Sequence, residues 1–222
     1  MEIKNFRAIH DRELIYELIE EGEHEEQDFK FSISDSRKIA RSIAAFANNR
    51  GGRLLVGVKD NGNIAGIRSD EEFYMVEQAA EMYCKPAQDV VQTVYCIEGK
   101  YVLLVKIQKS TVPVLAQDDN HKWQPYYRVN DENIQVPDLL LRVWKSRKRK
   151  SASINFSESE ARLLDFVSKR NGTSVMDIAR SLHFSVSYTE NAVVALCALD
   201  VLDFYYDGSK WLIVATGIIP DR

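Results

Sequence analysis

The sequence offers little to a zinc centre, a membrane or a nucleotide-hydrolysing loop. Its three cysteines, Cys84, Cys96 and Cys197, stand in no metal-type spacing, so reduced and mostly buried thiols are expected rather than a metal site or a disulfide framework. The four histidines, His10, His24, His121 and His183, are equally scattered. No apolar run approaches the ~20 residues that a membrane-spanning helix needs. The charged start from Met1 to Arg7 is unlike a signal peptide, and the expectation is a cytoplasmic chain with no membrane partner. No Gly-x-x-x-x-Gly-Lys-Ser/Thr loop occurs, which removes phosphate-loop ATP hydrolysis. An overall excess of positive charge is missing too, since 29 Lys and Arg against 33 Asp and Glu leave −4. For any nucleic-acid reading, the distribution of charge then matters more than its sum.

What is present is a chain of 222 residues, 45% hydrophobic, enough for one large domain or two small ones. Acid gathers from Glu17 to Asp28, whereas Arg142, Lys145, Arg147, Lys148, Arg149 and Lys150 form a basic run. That run reads either as a solvated linker or as a phosphate-contacting segment, because clustered Lys and Arg release counterions from a nucleic-acid backbone.

The most informative stretch runs from Ala45 to Gly62. A helix from Ser36 to Asn48 carries Ile39, Ile43, Ala44, Phe46 and Ala47 at helical spacing, and Gly51-Gly52 supplies its positive-φ stop. Leu54 to Val58 is a continuous apolar strand, Asp60-Asn61-Gly62-Asn63 a tight turn, and Ile64 to Ile67 a short returning strand. The glycines serve a helix-to-strand turn, or else let the backbone approach a phosphate that Arg50 and Arg53 could pair with. Upstream, His10 to Glu21 is an amphipathic helix, and Phe29 and Phe31 alternate as a strand. Downstream come a helix from Phe73 to Tyr83 and a hairpin of Val90–Cys96 with Tyr101–Gln108. Trp123, Tyr126 and Tyr127 precede or enter a strand, as core residues or as stacking platforms for bases. The pattern is α+β, a mixed sheet with packed helices.

Beyond the basic run the pattern changes. Ser157 and Glu160 form a capping box ahead of an apolar helix face, a second helix carries Val175, Ile178 and Leu182, and a third runs from Val186 to Leu199. Two strands, Val201–Tyr206 and Lys210–Val214, follow as a hairpin. Three helices and a hairpin resemble the winged helix-turn-helix of bacterial regulators, with the third helix in the recognition position. The contacts expected of it are Ser185, Ser187, Tyr188, Thr189, Asn191 and, from the hairpin, Lys210. Against DNA reading stands the absence of any Lys or Arg between Arg180 and Lys210, so oligomerisation is an equal role for this helix. The domains expected are residues 1–146, a basic linker 147–155, and 156–222.

The cassette around Gly51-Gly52 also resembles the Schlafen AlbA_2 family of nucleic-acid-binding domains. Three further stretches carry the likeness: Gly22-Glu23-His24-Glu25-Glu26-Gln27-Asp28-Phe29-Lys30, Gly99 to Ile107, and Pro113 followed by Tyr126-Tyr127-Arg128-Val129-Asn130. Asp28 stands where Glu is more usual, and Asn130 where Gly is. The resemblance covers roughly residues 10 to 140, and its motifs are specific as an ordered set. It implies nucleic-acid binding, with Lys30, Arg50, Gly51, Gly52, Arg53 and Arg128 beside the family motifs and the basic run as phosphate contacts. In nuclease-active Schlafen proteins it implies three acids around a divalent metal, and carried over these are Glu23, Asp28 and Asp60, as catalytic residues and Mg²⁺ or Mn²⁺ ligands. The bland alternatives are solvated acids at Glu23 and Asp28 and a turn former at Asp60. The leading expectation is a bacterial transcriptional regulator that needs no reaction and no cofactor. It binds nucleic acid, DNA ahead of RNA, as a homo-oligomer. A metal-dependent ribonuclease and a protein-interaction adaptor are the rivals.

Overall fold

The computed structural model describes residues 7–148 and 156–217. Arg149, Lys150 and the expected joint Ser151-Ala152-Ser153 lie outside the described residues. The chain divides into two compact units, Met1–Gln135 and Val136–Arg222.

The first unit is built on a mixed sheet. Its strands are β1 (Gln27–Lys30), β2 (Gly52–Val56), β4 (Val90–Ile97) and β5 (Lys100–Ile107), in the order β1-β2-β5-β4. β1 and β2 are parallel, with Phe29 opposite Leu55, and the other pairs are antiparallel. Alternation along the strands divides the apolar side chains between two faces. Helix α1 (Arg12–Glu21) covers one face, with Ile15 and Leu18 packed on Phe29, Leu55, Val102 and Leu104. Leu54, Val56, Leu103 and Val105 face the other way, onto α2 (Ser36–Asn48) and α3 (Glu71–Met82).

A second, antiparallel sheet joins β3 (Cys84–Lys85), β6 (Leu115–Gln117), β7 (Trp123–Val129) and β8 (Glu132–Gln135) in the order β3-β6-β7-β8. It packs on the far side of α2, which explains that helix's composition. Nine of its thirteen residues are buried, from Ser36 to Ala47, and its run of alanines lets sheets approach from both sides. Asp35 caps it by accepting from the Arg37 N–H. At its other end Asn48 donates to the carbonyls of Val114 and Tyr126 and accepts from the Val114 N–H, each at 2.8 Å. Asn49 donates to the Arg128 carbonyl and accepts from the Tyr127 hydroxyl. The Asn48-Asn49 pair thus holds α2 to β7.

The second unit contains α4 (Asp138–Lys148), α5 (Glu158–Ser168), α6 (Val175–Leu182), α7 (Val186–Ala198) and an antiparallel hairpin of β9 (Leu202–Tyr206) and β10 (Trp211–Ala215). Thr173 adds a bridge to Ile213. The capping box of Ser157 and Glu160 is formed, and the Tyr188 hydroxyl donates to Glu160 at 2.5 Å, tying α7 to α5.

Three expectations are corrected. Arg142, Lys145, Arg147 and Lys148 of the basic run lie in helix α4, laid against α7, because Leu140 and Val143 are buried at helical spacing beneath the charges. Ile64–Ile67 forms no strand and meets Val58 in a single bridge. Phe31 does not alternate inward with Phe29, since β1 ends at Lys30 and the Phe31 side chain is 41% exposed.

Candidate nucleic-acid interface

Where β1 begins, the acidic motif folds around a buried arginine. Arg128 on β7 is 1% exposed. Its Nε donates to the His24 carbonyl (3.4 Å), Nη1 to Asn133 (3.1 Å) and Nη2 to the Gln27 carbonyl (3.2 Å). Nη2 also lies 3.3 Å from Asp28 Oδ1, and the guanidinium sits 5.1 Å from the centroid of the Phe46 ring. Every face of the fork is used inside the protein. Arg128 is therefore a staple between β7, β1 and α2 and does not reach a phosphate.

Asp28 is equally enclosed, at 3% exposed. Its second oxygen lies 2.5 Å from Lys30 Nζ, which also donates to the Phe29 carbonyl. Glu23 accepts from the Phe29 N–H at 2.8 Å. Burial first, and next a hydrogen bond with Asp28, push the Glu23 carboxyl above the usual carboxylate range. A protonated Glu23 is thus favoured by the fold. Its contribution to stability is fully present below the unfolded-state value and is lost as pH rises through the folded one. Glu23→Gln keeps the acceptor for Phe29 and donates to Asp28 at every pH. It should match wild type near pH 4 and exceed it near pH 8, by no more than about 1 kcal/mol because the site is partly exposed. Thermal unfolding across that range checks this, and a difference that is flat in pH counts against it.

Glu23, Asp28 and Asp60 do not fit a shared divalent ion. Asp28 is already ion-paired with Arg128 and Lys30, although its buried Oδ2 meets the Lys30 ammonium in an ion pair without hydrogen-bond geometry. Asp60 is exposed in a turn closed by the Lys59 N–H to the Asn63 carbonyl (3.0 Å) and the Gly62 N–H to the Lys59 carbonyl (2.8 Å). Among the described residues no three His, Cys, Asp or Glu side chains are placed to hold a metal. Nor are the buried thiols poised as nucleophiles, for burial pushes Cys84 and Cys197 up to about 12.

Most of the cations expected at phosphate are also spent internally. Arg53 pairs with Glu21 and donates to Gln27 Oε1 at 2.6 Å. Arg50 stays 62% exposed, with Glu26 at 3.9 Å. Gly51 and Gly52 are closed off by packing: the Gly51 N–H donates to the Phe46 carbonyl, and a Cβ on Gly52 would fall 2.3 Å from the Phe46 ring. In the second unit Arg142 donates to Glu190 (3.0 Å) and Asn191 (2.6 Å). Arg147 reaches the Cys197 carbonyl, Asp200 and Asp203. Lys145 is exposed on α4, and Lys148 closes that helix.

The contacts expected of α7 are largely engaged too. Ser185 caps the helix through the Tyr188 N–H, Thr189 is buried and donates to the Ser185 carbonyl, and Asn191 holds Arg142. Only Ser187 and Lys210 keep exposed side chains with no part in these ties.

Sequence reasoning missed a different group, beyond the C-terminal ends of β1 and β2. Phe31 lies there with Lys59 Nζ 5.5 Å and the Arg68 guanidinium 5.0 Å from its ring centroid. The ion pairs among the described residues leave Lys59, Arg68 and Lys100 unused. The available signal was weak: three cations far apart in sequence, and a Phe one residue past a strand end.

The first unit is an α+β domain of two sheets clasping one helix, its acidic motif folded onto an arginine from the second sheet. A model of the Schlafen, AlbA_2 family matches residues 23–137, and the chain belongs to that family. No curated protein matches the chain. Among solved structures it is similar to the DIP2311 protein of Corynebacterium diphtheriae, with 23% identity and a TM-score of 0.40 over 55% of this chain and 24% of that one. It is also similar to the N-terminal domain of an ATP-dependent DNA helicase RecG-related protein from Nitrosomonas europaea. There the identity is 21% and the TM-score 0.35, over 53% of this chain and 78% of that one. The chain spans about a quarter of the length of the Corynebacterium protein. Among the described residues no helix is long and apolar enough to cross a membrane.

Proposed function

We propose that the chain is a nucleic-acid-binding regulator of bacterial type, binding through its AlbA_2 unit without a catalytic step. The observation that carries this reading is the family match over residues 23–137. The geometry supports binding over cleavage, because the three candidate carboxylates do not gather and Asp28 is neutralised by its own protein. We take Arg50, Lys59, Arg68 and Lys100 as the contact surface, because Arg53 and Arg128 are engaged inside the protein. The second unit has the element order of a winged helix, and its α7 serves packing or a second copy of the chain better than a DNA groove. Its polar side chains hold α4 and α5, and no cation lies on it.

Binding of this kind is phosphate-dominated, so its affinity falls steeply with salt. Gel shifts of the full chain on duplex DNA, single-stranded DNA and RNA at several salt concentrations test it, with and without Mn²⁺. Lys59→Ala with Arg68→Ala should lower affinity about tenfold at low salt and shallow the slope, whereas Arg128→Lys should leave the slope unchanged in the folded protein. Absence of binding to all three probes, or Mn²⁺-dependent cleavage lost in Glu23→Gln, would sink the proposal.

A further inference from the structure

The group around Phe31 opens onto a pocket of about 500 Å³, within the ~300–1,000 Å³ of ligand sites. Tyr16, Phe31, Lys59, Asn63, Glu98 and Lys100 are among the residues that line it. We propose that this pocket takes an unpaired base of a single-stranded nucleic acid, stacked on Phe31, with the flanking phosphates at Lys59 and Lys100. The inference rests on the nucleic-acid reading above and names its substrate form and its seat.

Four observations converge on it. Phe31 and Tyr16 are 41% and 37% exposed, two aromatic rings left at one pocket where burial would have been the stabilising choice. Base–aromatic stacking gives such rings a use, because every base has a π-face. The cations beside them are in no ion pair among the described residues: Lys59 lies over the Phe31 ring, its Nζ 5.5 Å from the centroid, and Lys100 donates to the Ile64 carbonyl at 2.8 Å. Lys100 and Ile64 both line the pocket, and that bond leaves two donors for a phosphate.

The backbone adds a third point. The β4–β5 hairpin turns through Glu98 and Gly99, both with positive φ, 51° and 79°. Such turns prefer Asn-Gly or Asp-Gly, so Glu98 carries backbone strain there. Its carboxylate accepts from the Tyr16 hydroxyl at 3.4 Å and lines the pocket, where it offers an acceptor to the N–H groups of a base edge. Fourth, the turn beneath the pocket is fixed: Gly62, at φ 78°, packs so closely that a Cβ would lie 2.8 Å from Ile19. Lys59 and Asn63 are thereby held at the rim by the hydrogen bond between them. A duplex keeps its bases stacked and presents no free face, so the pocket selects single strands.

The test uses the full chain and a short oligothymidine carrying one 2-aminopurine, with the matching duplex as control. Binding of the single strand should quench the 2-aminopurine fluorescence. Phe31→Ala should lower single-strand affinity roughly 5- to 100-fold and abolish the quench, while Phe31→Trp keeps both. Lys59→Ala and Lys100→Ala should each reduce the salt slope by about 0.7. Phe31 is exposed, so these proteins should fold, and circular dichroism verifies it. Single-strand binding that is unchanged in Phe31→Ala, or a duplex bound as tightly as the strand, overturns the inference alone. Failure of wild type to bind either probe overturns the inference, and failure to bind RNA as well overturns the nucleic-acid reading with it.

Discussion

Replacing Arg128 by methionine should destabilise the first unit by about 3–5 kcal/mol, the usual cost of removing one partner from a buried ion pair. The substitution leaves the Asp28 carboxylate at 3% exposure with only Lys30 to match it. It also removes one donor each from the carbonyls of His24 and Gln27, which keep only each other's N–H, and from the Asn133 amide oxygen. Lysine should rescue little, because a point ammonium cannot reach four acceptors at once. The ionic part is separable: Asp28→Asn with Arg128→Met should cost less than the sum of the two single changes, since the pair is then removed together. Hydrogen exchange followed by mass spectrometry reads the loss in peptides of β1, α2 and β7 without assuming that the two units unfold together. Protection of those peptides within a factor of about two of wild type would show that Arg128 is dispensable to the fold.

The same residue shows why the elements were legible in the sequence and the site was not. Helix α2 is found where its apolar spacing and glycine stop put it, from Ser36 to Asn48. The β4–β5 hairpin lies within a residue of its expected bounds. These features are local, set by periodicity and turn chemistry. The partnership of Arg128 with His24, Gln27 and Asp28 spans about a hundred positions, and no spacing rule links them. A basic residue in a family motif therefore reads as a phosphate contact when it is a core staple. Helix α4 was obscured in the same manner, because Arg142, Lys145, Arg147 and Lys148 suggest a solvated segment while Leu140 and Val143 bury the helix. Conversely, Lys59, Arg68 and Lys100 look ordinary in sequence. They acquire meaning only when the sheet gathers them near Phe31 and leaves them without carboxylate partners.

The second large effect is expected at the paired glycines, and it separates a structural turn from a phosphate cradle. Gly51 has φ 87°, and a Cβ there would lie 2.8 Å from the Ile107 carbonyl oxygen and 3.0 Å from the Lys109 nitrogen. Both obstacles are backbone atoms at the end of β5, which cannot rotate away. An L-residue also pays about 1–2 kcal/mol for the left-handed conformation, so Gly51→Ala should cost about 3 kcal/mol with the clash included. Gly52 is not in that conformation, yet its Cβ would fall 2.3 Å from Cδ1 of Phe46 and 2.9 Å from the Glu26 carbonyl oxygen. The Phe46 ring is fully buried against α2's neighbours and under Arg128, so Gly52→Ala should cost about 1–3 kcal/mol by overpacking. Urea unfolding measures both. The discriminating measurement is nucleic-acid affinity in the absence of denaturant, corrected for the folded fraction. A packing role leaves that affinity at the wild-type value while stability falls, whereas a cradle that receives phosphate would lose affinity with stability unchanged. The Gly51 N–H is already donated to the Phe46 carbonyl at 2.9 Å, and on that ground the loss should appear in stability.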